Sequence, residues 1–201
     1  ILQEYGLTAT PDSIEYMNAA IGFSNFKLDL LPVWAPFYPF LLSIFSLVQA
    51  PAEAACIING LAFAILITSS VRIAYFLKVS WPGLILVGIV PILWTDLWHV
   101  YQAIWSEGTF IALLLLHFVY LQKYLLSPNM SNWFFVVFSA ALTLLTRYIG
   151  YFLLPHLLLI LWFQNQKVQW RLGTTGTGIP FSANRVGLAE SPVPRRSRCR
   201  P

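Results

Sequence analysis

The sequence predicts an all-α fold, a polytopic membrane helix bundle, and three observations carry that prediction. Of the 201 residues, 58% are hydrophobic and only 10% are charged, where soluble domains run at about 45–50% apolar and about 25% charged. Mean hydropathy is +0.68. Residues 30–52, 54–71, 79–95, 108–122, 124–146 and 148–166 each lack Asp, Glu, Lys and Arg, and several of these runs approach the ~20 residues that span a bilayer as a helix. Finally, the formal charge of +4 is mostly a tail, because Arg171, Arg185, Arg195, Arg196, Arg198 and Arg200 supply half of the twelve basic residues. So few charges cannot cover a soluble domain. A soluble enzyme, a coiled coil and a disordered chain are excluded, and the basic balance does not point to nucleic acid.

Residues 1–35 read as an outer-face loop with short amphipathic helices. Thr10-Pro11-Asp12-Ser13 is a turn into a helix over 14–20, with Pro early and acid in the first turn. Trp34-Ala35-Pro36-Phe37-Tyr38-Pro39 then punctuates the chain with aromatics and prolines of the kind found at a membrane interface. Residues 36–166 make the transmembrane bundle. Its first apolar stretch, Phe40 to Val48, is closed by Pro51 and is too short to span, which makes it re-entrant or interfacial. Five spans follow at about 54–71, 81–95, 108–122, 133–146 and 149–164. From Lys167 the hydropathy collapses into glycines, prolines and arginines, so 167–201 reads as a polar, disordered tail.

The basic residues orient the bundle. Arg72 and Lys78 lie between the first two spans, Lys123 follows the third, and Lys167 and Arg171 follow the fifth. Under the positive-inside rule these loops are cytoplasmic. Residues 1–35, the 96–107 loop and the turn at Arg147 then share the outer face. That topology needs a hairpin at Thr146-Arg147-Tyr148, helped by Gly150; one long helix with a buried Arg147 is its competitor.

Scarcity makes the remaining charges candidates for chemistry. Asp12 can take a proton from a hydroxyl or hold a cation, but the local pattern favours a helix cap, with Glu15 three residues on completing a capping box. Glu107 opens a long apolar helix, where the macrodipole welcomes a carboxylate and where an ionisable group near membrane depth is also a functional candidate. Arg147 interrupts a long uncharged stretch. A guanidinium there needs an anion: a phosphate that matches its planar fork, or else Asp96, Glu107 or the interface. His99 in the outer loop can contact a substrate, whereas His117 and His156 sit in apolar helices and suit packing. Trp34, Trp94, Trp98 and Trp105 serve as interface anchors or as faces for a sugar ring. Cys56 and Cys199 suggest no disulfide, and no metal or nucleotide motif is present. Asp12, Glu15 and Glu107 can share a divalent cation, although no spacing demands one.

Four segments occur in an order that resembles the membrane glycosyltransferases of the GT-C fold. They are Pro11-Asp12-Ser13-Ile14-Glu15-Tyr16, Trp34-Ala35-Pro36-Phe37-Tyr38-Pro39-Phe40-Leu41-Leu42, Trp105-Ser106-Glu107-Gly108-Thr109-Phe110 and Leu145-Thr146-Arg147-Tyr148-Ile149-Gly150. The similar group is the bacterial type related to protein O-mannosyltransferases (glycosyltransferase family 39) and the lipid A aminoarabinose transferase, and the likeness covers about residues 8–165. The resemblance implies transfer of a sugar from a polyprenyl-phosphate donor to a lipid, glycan or protein acceptor at the outer face of the bacterial plasma membrane. It implies Asp12 as the base of an inverting reaction and Glu107 as a second catalytic carboxylate that orients the acceptor or supports the base. Arg147, Glu15, Tyr16, Trp34, His99 and Tyr148 would then contact substrate.

Two departures matter. Members of that family open with a membrane helix before the first outer loop, and they continue through further helices. This chain starts near the loop, without Met or a signal peptide, and enters its tail after about 165. It therefore reads as a fragment. A transporter or permease fragment is the alternative from another class, disfavoured by the absence of a repeat; a non-catalytic membrane subunit is a third.

Overall fold

The computed structural model describes residues 10–26 and 35–162. The expectations for Trp34 and for the 167–201 tail fall outside them. The chain divides into two units, residues 1–158 and 159–201, and the architecture below is that of the first. All regular structure among the described residues is helical.

The first helix, α1 (Pro11–Ser24), starts earlier than the sequence pattern suggests, and Asp12 is not its cap. Thr10 is the N-cap and Ser13 completes the capping box: Ser13 N–H donates to Thr10 Oγ1 at 3.3 Å and Thr10 N–H to Ser13 Oγ at 3.1 Å. The reason is Pro11, whose fixed φ suits the first helical position and leaves the cap to the residue before it. Next, α2 (Phe37–Phe45) is nine residues long, about 14 Å. As expected of an interfacial or re-entrant piece, it cannot span. It buries Tyr38 and Leu42, one turn apart, against α1 and α3.

Helix α3 (Pro51–Phe76) runs 26 residues, about 39 Å, and α6 (Ser106–Leu126) runs 21, about 32 Å. Both are long and apolar enough to cross a membrane. They pack side by side, with Ala62 and Leu66 against Ala112. Small residues at Ala52, Ala55 and Ala62 on the buried side of α3 let neighbours come close.

Between them the predicted span 81–95 ends early. Helix α4 (Trp81–Leu93) and α5 (Thr95–Gln102) meet at a 57° bend. Pro91 removes a backbone donor from the last turn of α4 and Trp94 is extended. The Trp98 indole donates to the exposed Ile92 carbonyl at 2.7 Å and so caps the broken end. Counted as one span, the bent pair makes a third.

Helix α7 (Met130–Thr146) has 17 residues, about 26 Å, and begins at the Asn129 cap. Of the five expected spans, two are met by single long helices and one by the bent pair, while the stretches at 133–146 and 149–164 form shorter apolar helices. Large apolar side chains on the outer surface, such as Leu61, Trp81, Leu86 and Leu93, are more than half exposed. Soluble proteins seldom show so continuous an apolar surface, and this one suits an integral-membrane location.

The helix does not run through Arg147. Arg147 is extended, at φ −150 and ψ 138, and a 3-10 turn (Tyr148–Phe152) follows. The turn folds back on α7: a Cβ built on Gly150 would stand 2.8 Å from Leu144 Cα and 3.0 Å from Thr143 O. Further on, His156 reaches the His117 ring, with centroids 5.8 Å apart. The hairpin, rather than the single long helix, is what forms. Because the atoms facing Gly150 are backbone and cannot give way, Gly150→Ala is expected to cost about 1–3 kcal/mol. The check is a thermal unfolding midpoint in detergent; an unchanged midpoint would mean that the chain does not fold back here.

Candidate functional site

The N-terminal ends of α1 and α6 and the C-terminal end of α7 come together, and each contributes a charge. Glu107 lies in the first turn of α6 and Arg147 directly follows α7. They form an ion pair. Arg147 is 32% exposed and Glu107 36%, so the pair is partly desolvated yet open to a ligand. Its partner was among the alternatives open in the sequence, and the structure selects Glu107 over Asp96.

Helix α1 is docked onto this end by two hydrogen bonds. The Trp105 indole N–H donates to Thr10 Oγ1 at 2.8 Å. Tyr16 Oη and Ser106 Oγ share a bond of 2.9 Å. Tyr16 is buried, and burial pushes its phenol above the ordinary tyrosine range. The Ser106 bond and Arg147 act against that rise, while Glu107 and Asp12 add to it. Tyr16 thus feels all three charged candidates and stays protonated at neutral pH. Asp12, in the first turn of α1 and half-buried, is released from capping by Thr10 and Ser13.

Behind Tyr16 lies a polar chain that sequence reasoning missed. The Tyr16 ring meets Tyr38 edge-on at 5.2 Å. Tyr38 Oη, fully buried, points to Asn59 Oδ1 at 3.5 Å. Asn59 Nδ2 donates to the carbonyls of Tyr101 and Ala103 at 2.8 and 2.9 Å, and Tyr101 Oη donates to Gly108 O at 3.0 Å. These bonds fix the turn at 103–105 and the start of α6, hence the place of Ser106 and Glu107. The one available signal was Asn59 itself, an amide inside the uncharged stretch 54–71.

The other candidates are less central. Glu15 is exposed on α1. Tyr148 follows Arg147, is 51% exposed, and stacks on Tyr151. His99 is exposed in the last turn of α5 and joins no bond of the cluster. His117 is fully buried and packs as expected, with Nδ1 bonded to Val136 O and Ser139 Oγ at 3.1 and 3.2 Å, but its Nε2 has no partner among the described residues. No three of His, Cys, Asp and Glu among the described residues gather as a metal site. A hollow of about 30 Å³ between α1 and α2, lined by Met17, Ile21 and Leu42 among others, is apolar and far below the roughly 300–1,000 Å³ of a ligand pocket.

No family model, curated protein or solved structure matches this chain. The GT-C resemblance accordingly rests on the four sequence segments alone. Among the described residues the fold is an all-α bundle with two helices long and apolar enough to cross a membrane, or three with the bent pair.

Proposed function

We propose that the chain acts as a membrane glycosyltransferase of the GT-C kind, moving a sugar from a polyprenyl-phosphate carrier to a hydroxyl on a lipid, glycan or protein. The observation that carries this reading is the gathering of Asp12, Glu107 and Arg147 around Tyr16 at one end of the bundle. The acceptor oxygen attacks the anomeric carbon while Asp12 takes its proton. The bond from that carbon to the phosphate oxygen breaks, its electron pair leaves with the phosphate, and the configuration inverts. Arg147 offsets the charge of the departing polyprenyl phosphate, and Glu107 orients the acceptor.

Charge placement supports the orientation. Arg72 and Lys78 lie at the far end of α3 and Lys123 at the far end of α6. Under the positive-inside rule that end is cytoplasmic and the cluster faces outward, with all five apolar stretches traversing the bilayer. The test is an assay of membranes containing the full chain with radiolabelled polyprenyl-phosphate sugars. Label should pass to an acceptor fraction, and Arg147→Ala should raise the apparent KM for donor by about tenfold or more, the loss of a charged hydrogen bond. An unchanged KM would remove Arg147 from the donor site.

A further inference from the structure

Arg147 is the only described Lys or Arg at the Asp12 end of the bundle, and Glu107 already occupies it. With Asp12 beside them, the three groups carry one net negative charge. A phosphate approaching this end meets repulsion unless it gains the guanidinium. Glu107 holds Arg147 through Nη1, so a phosphate that takes the end-on fork of Nη1 and Nη2 must displace it, and the two anions compete for that nitrogen. We propose that the Glu107–Arg147 pair is a latch: a phosphate group takes Arg147 from Glu107, and Glu107 is freed beside Tyr16 and Asp12 only while that phosphate is bound. The inference rests on the phosphate role given to Arg147 above and adds an order to the reaction. Before donor binds, Glu107 is neutralised and unable to orient an acceptor. Donor binding supplies the second carboxylate, so donor precedes acceptor.

The ligand chemistry is a phosphate ester, on a lipid or free in solution. The full chain in phosphatidylcholine vesicles is titrated with polyprenyl phosphate and, in a separate arm, with inorganic phosphate. Removing the competitor by Glu107→Gln should tighten binding about two- to fivefold, the scale of a partly exposed ion pair. Asp12→Asn removes the same charge from the same cluster without touching the pair, and should tighten binding less. Response in both arms means that phosphate alone opens the latch; response in the lipid arm only assigns the opening to the lipid headgroup. Equal effects of Glu107→Gln and Asp12→Asn, or weaker binding by Glu107→Gln, overturn the latch. Unchanged binding by Arg147→Gln instead overturns the phosphate site itself, which separates the two failures. In the unmodified protein, added polyprenyl phosphate should shift a carboxylate infrared band that is absent from Glu107→Gln; no shift also overturns the latch.

Discussion

Asp12→Asn is expected to reduce sugar transfer by about 10²- to 10⁴-fold, the contribution of a positioned general base, while the protein stays folded in the membrane. The two halves of that expectation come from different residues. The helix start is held by Thr10 and Ser13, which bond each other reciprocally, and by Pro11, so α1 does not depend on Asp12 for its cap. An amide at this position keeps the shape of the side chain and forfeits mainly a first-turn charge, worth about 0.3–1 kcal/mol. The Trp105–Thr10 and Tyr16–Ser106 bonds that dock α1 are untouched. The loss should therefore fall on kcat, with donor binding kept or slightly tightened. Radiolabelled donor, membrane-fraction blots and a thermal midpoint measured together make the check; full transfer by Asp12→Asn would exclude it as the base.

The same residue shows where sequence reasoning strayed. Asp at a turn followed by Glu three residues later fits a capping box, a pattern that points to Asp12 and Glu15. Thr10 and Ser13 fit a box equally well once Pro11 is given the first helical position. Uncharged runs understate helix length for a related reason. Spans at 54–71 and 108–122 stop where charges begin, at Glu53, Arg72, Glu107 and Lys123. In the structure those residues lie within α3 and α6. A helix welcomes an acid in its first turn, as at Glu53 and Glu107, and a base in its last, as at Lys123, while Arg72 stands before the last turn of α3; an uncharged run therefore marks the middle of a span rather than its ends. The bend between α4 and α5 was legible in Pro91, but not the Trp98 indole that caps the break.

At the candidate site, charge was legible and neutral polarity was not. Glu107 and Arg147 stand out because uncharged stretches surround them, and burial near a membrane makes each seek the other. Tyr38, Asn59 and Ser106 carry no such signal. Their bonds join residues 21 to 90 positions apart, and no local pattern encodes a partner at that distance. Burial alone forces such pairing, because each polar atom taken from water must find another.

Asn59→Leu is expected to be the most destabilising single change at this end of the bundle, by about 2–5 kcal/mol. Asn59 is 4% exposed, and its one NH₂ group serves two carbonyls, of Tyr101 and Ala103. Leucine matches its size but leaves both carbonyls buried without a donor, at about 1–3 kcal/mol each. The contact to Tyr38 Oη, at 3.5 Å, is too long to add much. Leu61→Ala two residues on is the control: Leu61 is 53% exposed, so its truncation should leave the thermal midpoint in detergent nearly unchanged. Asn59→Asp should fare no better than Asn59→Leu, since a carboxylate cannot donate to either carbonyl and would face them with charge. If Asn59→Leu melts with the unmodified protein, those carbonyls have other donors. The turn at 103–105, and with it the position of Glu107, would then be held by the Tyr16–Ser106 and Tyr101–Gly108 bonds alone.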